Sequence, residues 1–306
     1  MPAAGKRTVK PEGVEGVLSH PERVVFEEDG ITKLDVAKYY FQVADWFIPH
    51  AAGRPLSMVR CPEGIGGKCF FQKNRPRGLP DSVETMTIPM KSKTMSAAII
   101  EDLEGLLALV QFNVIEFHAW QSRRDRIERP DRIILDLDPD SSVPWSEVVE
   151  TAHLLRDLLD SVGLQCFVKT SGGKGLHVVV PITRRYEWPA VKEFSKALAT
   201  TMASVHPDRY TATMSKSARK GKIFIDYLRN DRGSTTVLPY SLRTRKTAPV
   251  SMPVDWSELN GLNGGGAFTL RNTPQLLAKR KRDPWEEIGA LRQTISARVK
   301  RLFRLS

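Results

Sequence analysis

The chain has 306 residues, 41% of them hydrophobic, and a formal net charge of +11. That length allows one large domain or two of ordinary size, and no apolar run reaches the roughly 18 residues of a membrane span. The basic surplus favours a polyanionic partner and says nothing about fold.

The first 17 residues, MPAAGKRTVKPEGVEGV, carry no apolar stretch of the signal-peptide kind. A cytoplasmic location is expected, with no membrane partner. Residues 1–18 read as a polar arm. The three cysteines, Cys61, Cys69 and Cys166, form no CxxC pair. A disulfide framework or structural zinc site is therefore not expected, and Cys61 and Cys69 read as small buried apolar groups. Basic residues gather at 60–77, 123–132, 216–222, 243–246 and 279–282. Several of these stretches are Gly/Ser-rich loops, which suit phosphate contact.

Ordered structure starts at Ser19-His20-Pro21. Thr32 to Asp35 reads as a capping box with Asp in place of the usual Glu or Gln. It opens a helix expected over 33–47, which Ile48-Pro49 should stop. Lys33 falls at its N-terminus, where unpaired N–H groups favour an anion; a solvated lysine is the plainer reading. Short strands are expected at 56–60, 68–73, 85–90 and 95–100. Neighbours on a strand face opposite ways, so one of Phe70 and Phe71 should be core. The other is either buried too or a base-stacking platform among basic residues. A short helix over 101–110 and a strand over 112–120 follow, with His118 near the strand's end.

Next comes Arg132-Ile133-Ile134-Leu135-Asp136-Leu137-Asp138-Pro139. Residues two apart on a strand share a side, so Asp136 and Asp138 project together from the end of an apolar strand. Like charges so placed repel. A shared proton or a hard cation such as Mg²⁺ or Mn²⁺ would relieve them. Alone, the pair is balanced between a cation site and a charged strand end leading into a turn.

Beyond it, a helix is expected over 144–162 with Gly163 at its end, then a strand over 165–170. Ser171-Gly172-Gly173-Lys174-Gly175-Leu176-His177 precedes a strand over 178–181. Another helix covers 188–205, and Ile223 to Tyr227 is a strand that ends in Asp226. Short extended pieces are expected at 235–238 and 240–242. A Gly/Asn-rich connector, 260–266, leads to a terminal helix from about residue 283, where Trp285, Ile288, Leu291, Ile295, Val299 and Leu302 repeat at helical spacing. From 131 onward the order is β-α-β-β-α-β, the split-βαβ arrangement.

In that arrangement Asp136, Asp138 and Asp226 all end strands and can converge, as a two-metal phosphoryl-transfer centre requires. The Ser171 loop joins two strands, so it is not a Walker A loop. Its glycines still allow an anion nest, with Ser171, Lys174 and His177 as donors; a plain hairpin turn is the alternative. Arg229 could orient Asp226, and Arg243 could clamp phosphates through its planar fork.

The ordered set of DLD, SGGKGLH and FIDYLRN resembles the archaeo-eukaryotic primase superfamily, most closely the polymerase domain of bacterial DNA ligase D. The likeness runs from Ser19 to Arg245, through Phe70-Phe71 and Glu116-Phe117-His118. It implies an α+β, primase-like fold, in which a split-βαβ (RRM or ferredoxin-like) catalytic module packs with an N-terminal αβ module. The expected layout is an arm over 1–18 and one domain over 19–306, built of 19–125, 126–250 and a connector with helix over 251–306.

The resemblance also implies roles. Asp136, Asp138 and Asp226 match the catalytic metal triad, with two Mn²⁺ or Mg²⁺ ions as cofactors and Arg229 in support. His118, Ser171, Gly172, Lys174, His177, Arg243 and Phe71 match nucleotide contacts. Lys33, Arg23, Phe70, Lys220 and Lys222 fall to DNA, the first two at a 5′-phosphate pocket. His20 and Arg23 stand where relatives look more like Asn and Lys. The implied activity adds nucleotides, preferably ribonucleoside triphosphates, to primer 3′ ends, templated or singly untemplated, in bacterial non-homologous end joining near the nucleoid. The implied partners are DNA ends and gaps with a 5′-phosphate, ligase and phosphoesterase modules, and a Ku-type end-binding protein. No KxDG-type adenylation motif occurs, so nick sealing is not expected. A primer-independent primase, a module mainly for end binding and synapsis, and a nuclease are the competing readings.

Overall fold

The structure, a computed structural model, describes residues 13–305. Most of the expected 1–18 arm lies outside the described residues. Within its remainder Val14 is fully buried, so that position belongs to a core and not to an arm. Among the described residues no helix is long and apolar enough to cross a membrane.

The chain forms two compact units. Of the described residues, the first comprises 13–120, 237–251 and 268–281; the second comprises 121–236, 252–267 and 282–305. These divisions differ from the expected modules 19–125 and 126–250 in that 121–125 lie in the second unit and 237–250 in the first. The segment expected as a connector and helix, 251–306, is shared between them.

The first unit begins with β1 (Val24–Phe26) and β2 (Ile31–Thr32), paired antiparallel. Helix α1 (Lys33–Ala51) follows at once. Its capping box is complete: Asp35 N–H donates to Thr32 Oγ1, and Thr32 N–H donates to Asp35 Oδ2. Asp is long enough for the role. The expected stop at Pro49 does not hold, because the helix continues to Ala51. A proline in the last turn removes one N–H donor, and Ala52 N–H still reaches Ile48 O at 2.8 Å. Burial of Tyr39, Tyr40, Phe41 and Phe47 holds the helix in place.

The unit's main sheet contains β3 (Leu56–Arg60), β4 (Phe70–Gln72), β5 (Glu84–Pro89), β6 (Thr94–Ile99) and β7 (Val114–Ala119), with helix α2 (Leu103–Gln111) between β6 and β7. Strand β3 pairs with β4, β6 and β7. The expectation for the cysteines is corrected here: Cys61 and Cys69 are joined by a disulfide. The β3–β4 register pairs Arg60 with Phe70. The next positions along the hairpin are therefore facing neighbours, a relation that an eight-residue separation does not reveal.

The second unit is built on β8 (Arg132–Pro139), α3 (Trp145–Ser161), β9 (Phe167–Thr170), β10 (Leu176–Pro181), α4 (Trp188–Val205), β11 (Tyr210–Thr211), α5 (Lys216–Arg219) and β12 (Ile223–Asp226). Its sheet runs β11-β12-β8-β10-β9-β14, where β14 is Pro253–Val254; β13 (Thr236–Val237) belongs instead to the sheet of β7. The central order β12-β8-β10-β9 is the expected split-βαβ arrangement. Helix α3 ends as expected: Gly163 has φ +76°, and Leu164 N–H donates to Leu159 O at 3.0 Å. Residues 240–242 form no strand, only an isolated bridge between Leu242 and Val250.

Two short helices remain, α6 (Thr273–Lys279) in the first unit and α7 (Ala297–Leu302) in the second. The long terminal helix expected from residue 283 is absent. A 3₁₀ turn at Glu286–Gly289 precedes α7, with non-helical chain between them. Tertiary hydrogen bonds override the helical spacing there. Thr183 N–H donates to Gln293 O, and Gln293 Nε2 donates to Gln165 O and Pro181 O. Trp285, Ile295 and Val299 are still buried as the spacing implies, but Leu302 is exposed.

Candidate functional site

In the second unit the strand register builds a row of polar side chains. Asp226 of β12 pairs with Asp136 of β8. Asp136 pairs with His177 of β10, and His177 with Lys169 of β9. Row-mates on adjacent strands share a face, so the four side chains lie side by side. Two residues along, the same face carries Ile134, Val179 and Phe167. There Ile134 and Val179 are buried with Trp285, whose indole N–H donates to Val168 O. Asp138 lies two residues beyond Asp136, on the same face, and its side chain is 53% exposed.

Two arginines hold these carboxylates. Arg229 Nε lies 3.2 Å from Asp226 Oδ2 and 3.6 Å from Asp136 Oδ2. Asp226 also accepts from Leu228 N–H at 2.8 Å. His177 Nε2 is 3.4 Å from Asp136 Oδ1. Arg219 Nη1 is 3.1 Å from Asp138 Oδ2, and its guanidinium stacks 3.7 Å over the Phe224 ring. Burial pushes the Asp136 carboxyl up to about 6, and the charges of Asp226 and Asp138 add to the push. Arg229 and Lys169 pull the other way. Lys169, 1% exposed, is a buried charge that sequence reasoning passed over. The usable signal was a lysine inside an apolar strand just before a Gly-rich loop.

Chemically, three carboxylates are a donor set for a hard divalent cation. As the side chains stand, no three His, Cys, Asp or Glu among the described residues are gathered closely enough to hold a metal. Arg229 and Arg219 occupy carboxylate oxygens that a cation would take.

The Ser171–His177 loop is backbone-directed. Ser171 Oγ accepts from Gly173 N–H and Gly175 N–H, each at 3.2 Å, and Ser171 N–H donates to Gly175 O. Gly172 has φ +65°, which suits glycine. At Gly175 an added Cβ would lie 1.9 Å from Leu137 O, and at Gly265 it would lie 2.7 Å from Gly175 O. Gly265 of the connector thus presses on this loop, and Gly175 presses on the strand between the two aspartates. Lys174 is exposed and Ser171 and His177 are buried.

A second cluster forms in the first unit around Glu116 on β7. Glu116 accepts from His118 Nε2 at 2.9 Å, and Arg243 Nε lies 3.1 Å away. Thr244 N–H and Oγ1 both donate to it at 2.6 Å. Burial pushes its carboxyl up, but the His118 hydrogen bond and the Arg243 charge outweigh that and bring it down to about 2. Phe71 meets the His118 imidazole edge-on, centroids 5.3 Å apart. Neither Phe70 (38% exposed) nor Phe71 (48%) is core, contrary to the alternation argument. Strand β4 has three residues and pairs only with β3, so it lies at the margin of the sheet and both rings stay partly exposed. Arg60 lies 5.5 Å over the Phe70 ring.

The residues expected at DNA are placed as follows. Lys33 is buried, and its ammonium donates to Ser19 O, Gln111 O and Gln111 Oε1 at 2.8–3.0 Å. Burial and the charge of Arg23 lower its pKa to about 8. Arg23 Nη1 donates to Pro62 O. Lys220 is exposed just past α5, and Lys222 Nζ donates to Pro207 O.

The profile of the LigD primase-polymerase domain matches residues 32–285. The multifunctional non-homologous end joining protein LigD of Pseudomonas aeruginosa is 40% identical over 300 residues, covering 98% of this chain and 36% of that protein. The bifunctional LigD of Bacillus subtilis is 30% identical over 251 residues, covering 81% and 40%. The chain therefore spans well under half the length of these relatives. Among solved structures, the polymerase domain of Mycobacterium tuberculosis ligase D in complex with DNA superposes with TM-score 0.83 at 30% identity, covering 90% of this chain and 99% of that one.

Proposed function

The chain belongs to the LigD primase-polymerase family, a nucleotidyltransferase domain of bacterial end joining, and from that premise we propose that it extends DNA 3′ ends with nucleoside triphosphates at the Asp136 row. In the proposed reaction the 3′-hydroxyl oxygen bonds to the α-phosphorus, the bond from that phosphorus to the α–β bridging oxygen breaks, pyrophosphate leaves with that oxygen, and the hydroxyl proton passes to water. The observation that carries this is the pairing of Asp226 with Asp136, two residues from Asp138 on the same face.

Asp136, Asp138 and Asp226 would hold Mn²⁺ or Mg²⁺, which lowers the pKa of an attacking hydroxyl and stabilises the leaving oxygens when two ions are bound. Arg229 keeps Asp136 and Asp226 in one orientation. His177 and Lys169 continue the row with donors and positive charge. The Ser171 loop, with Gly172 and Lys174, would take the triphosphate on backbone N–H groups and an ammonium. In the first unit, His118, Arg243 and Phe71 would contact the nucleotide.

DNA contact falls to Phe70, Arg23, Lys33, Lys220 and Lys222, and the relative solved with DNA supports a DNA-bound state. Preference for ribonucleotides, gaps with a 5′-phosphate, work beside ligase and phosphoesterase modules, and a Ku-type partner belong to the same proposal.

The test is a labelled gapped duplex incubated with Mn²⁺ and single NTPs. Products longer by single nucleotides support the proposal, and shorter products would show a nuclease instead. Products on single-stranded template without primer would favour a primase.

A further inference from the structure

Glu116 is a buried anion, 4% exposed, set among side chains assigned to a polyanionic ligand. Coulomb repulsion makes that arrangement unfavourable for binding phosphate. Charge alone therefore gives no reason for a carboxylate here. Geometry does. Oε2 takes His118 Nε2 and lies beside Arg243 Nε, and Oε1 takes both donors of Thr244. One carboxylate thus ties the end of β7 to the loop over 241–245.

We propose that Glu116 is a positioning residue for nucleotide binding, holding His118 and Arg243 in a single arrangement at the expense of one positive charge. The proposal rests on the reading that His118 and Arg243 contact the nucleotide. Arg243 is approached at its inner nitrogen, so the carboxylate fixes the stem of the guanidinium. Through His118 it also sets the edge-on contact with Phe71. Ser57 of β3 pairs with His118. Tyr40 of α1 lies 3.5 Å from Ser241 Oγ, and Glu116 helps to keep it un-ionised.

Charge and position predict opposite signs, which gives the test. Glu116→Gln keeps the shape, removes the negative charge and weakens the ties. Positioning predicts that KM for NTP rises about tenfold, the scale of losing a charged hydrogen bond, with a smaller change in kcat. It also predicts that the NMR titration midpoint of His118 moves down, because a carboxylate neighbour favours the imidazolium. An unchanged or lower KM, or an unmoved His118 midpoint, overturns the proposal. Should Glu116→Gln fail to fold, Thr244→Val removes one tie only and should raise KM in the same direction by less; an unchanged KM there is equally contrary. His118→Ala and Arg243→Ala separate the two levels. If both raise KM while Glu116→Gln does not, the positioning role fails alone. If neither does, the nucleotide reading fails, and the positioning role falls with it.

Discussion

Asp136 and Asp226 stand opposite one another on adjacent antiparallel strands, and Arg229 Nε reaches both, at 3.6 and 3.2 Å. A single guanidinium thus balances a pair of carboxylates that would otherwise repel. It does not balance them fully, since burial and the neighbouring charges leave Asp136 at about 6.

That imbalance has a sign. The folded-state pKa of Asp136 lies above its ordinary value of 3.8, so the folded protein holds the proton more tightly. Stability then falls as pH rises from about 4 to about 6 and stays lowered above that. Asp136→Asn removes the titration. In EDTA the variant should match the wild type near pH 4 and exceed it above pH 6 by on the order of 1–3 kcal/mol, while primer extension is lost. Denaturant melts across that pH range check it; a variant less stable than wild type at pH 7 would count against it.

Lys169 should matter through charge. It pulls the Asp136 carboxyl down from across the row. Lys169→Met should therefore move the acidic limb of the pH–rate profile for extension to higher pH. A profile that keeps its position while the rate falls would show a packing role instead.

Gly175 has no room for a side chain, with Leu137 O at 1.9 Å from a built Cβ. Gly175→Ala must displace either the Ser171 loop or the strand that carries Asp136 and Asp138. A loss of about 1–3 kcal/mol of stability, together with a raised KM for NTP, is expected. Gly172→Ala, strained by its φ of +65°, perturbs the loop's backbone without adding the Gly175 clash with Leu137 O and should leave more of the stability. Thermal melts and steady-state kinetics on both variants make the comparison.

Lys33 is held by three oxygen acceptors. Lys33→Ala leaves those acceptors without their cation and should cost about 1–3 kcal/mol. If the residue also serves a 5′-phosphate, the variant loses its preference for phosphorylated over unphosphorylated gaps. Stability lost with that preference intact would make Lys33 purely structural.

Much of this was legible in the sequence. Thr32 and Asp35 announced their capping box, and Gly163 its helix end, because caps are local. The β-α-β-β-α-β order was enough for the sheet, because that pattern admits few topologies. The Asp136–Asp226 pairing needed register, which depends on long-range packing. The Cys61–Cys69 bond needed the facing positions of one hairpin. The terminal helix failed because Gln293 finds tertiary partners at Gln165 and Pro181, which spacing cannot show. Lys169 and Glu116 were missed for one reason: each is a charge inside an apolar strand, and its meaning lies in what crosses from the next element.

On the function proposed above, the aspartate row would hold the catalytic cations. The direct measurement is an EPR titration of Mn²⁺ with protein, gapped DNA and a non-hydrolysable NTP. The wild type should bind about two ions per chain, and Asp226→Asn should lose at least one while still binding DNA. Unchanged Mn²⁺ binding in Asp226→Asn would contradict the claim.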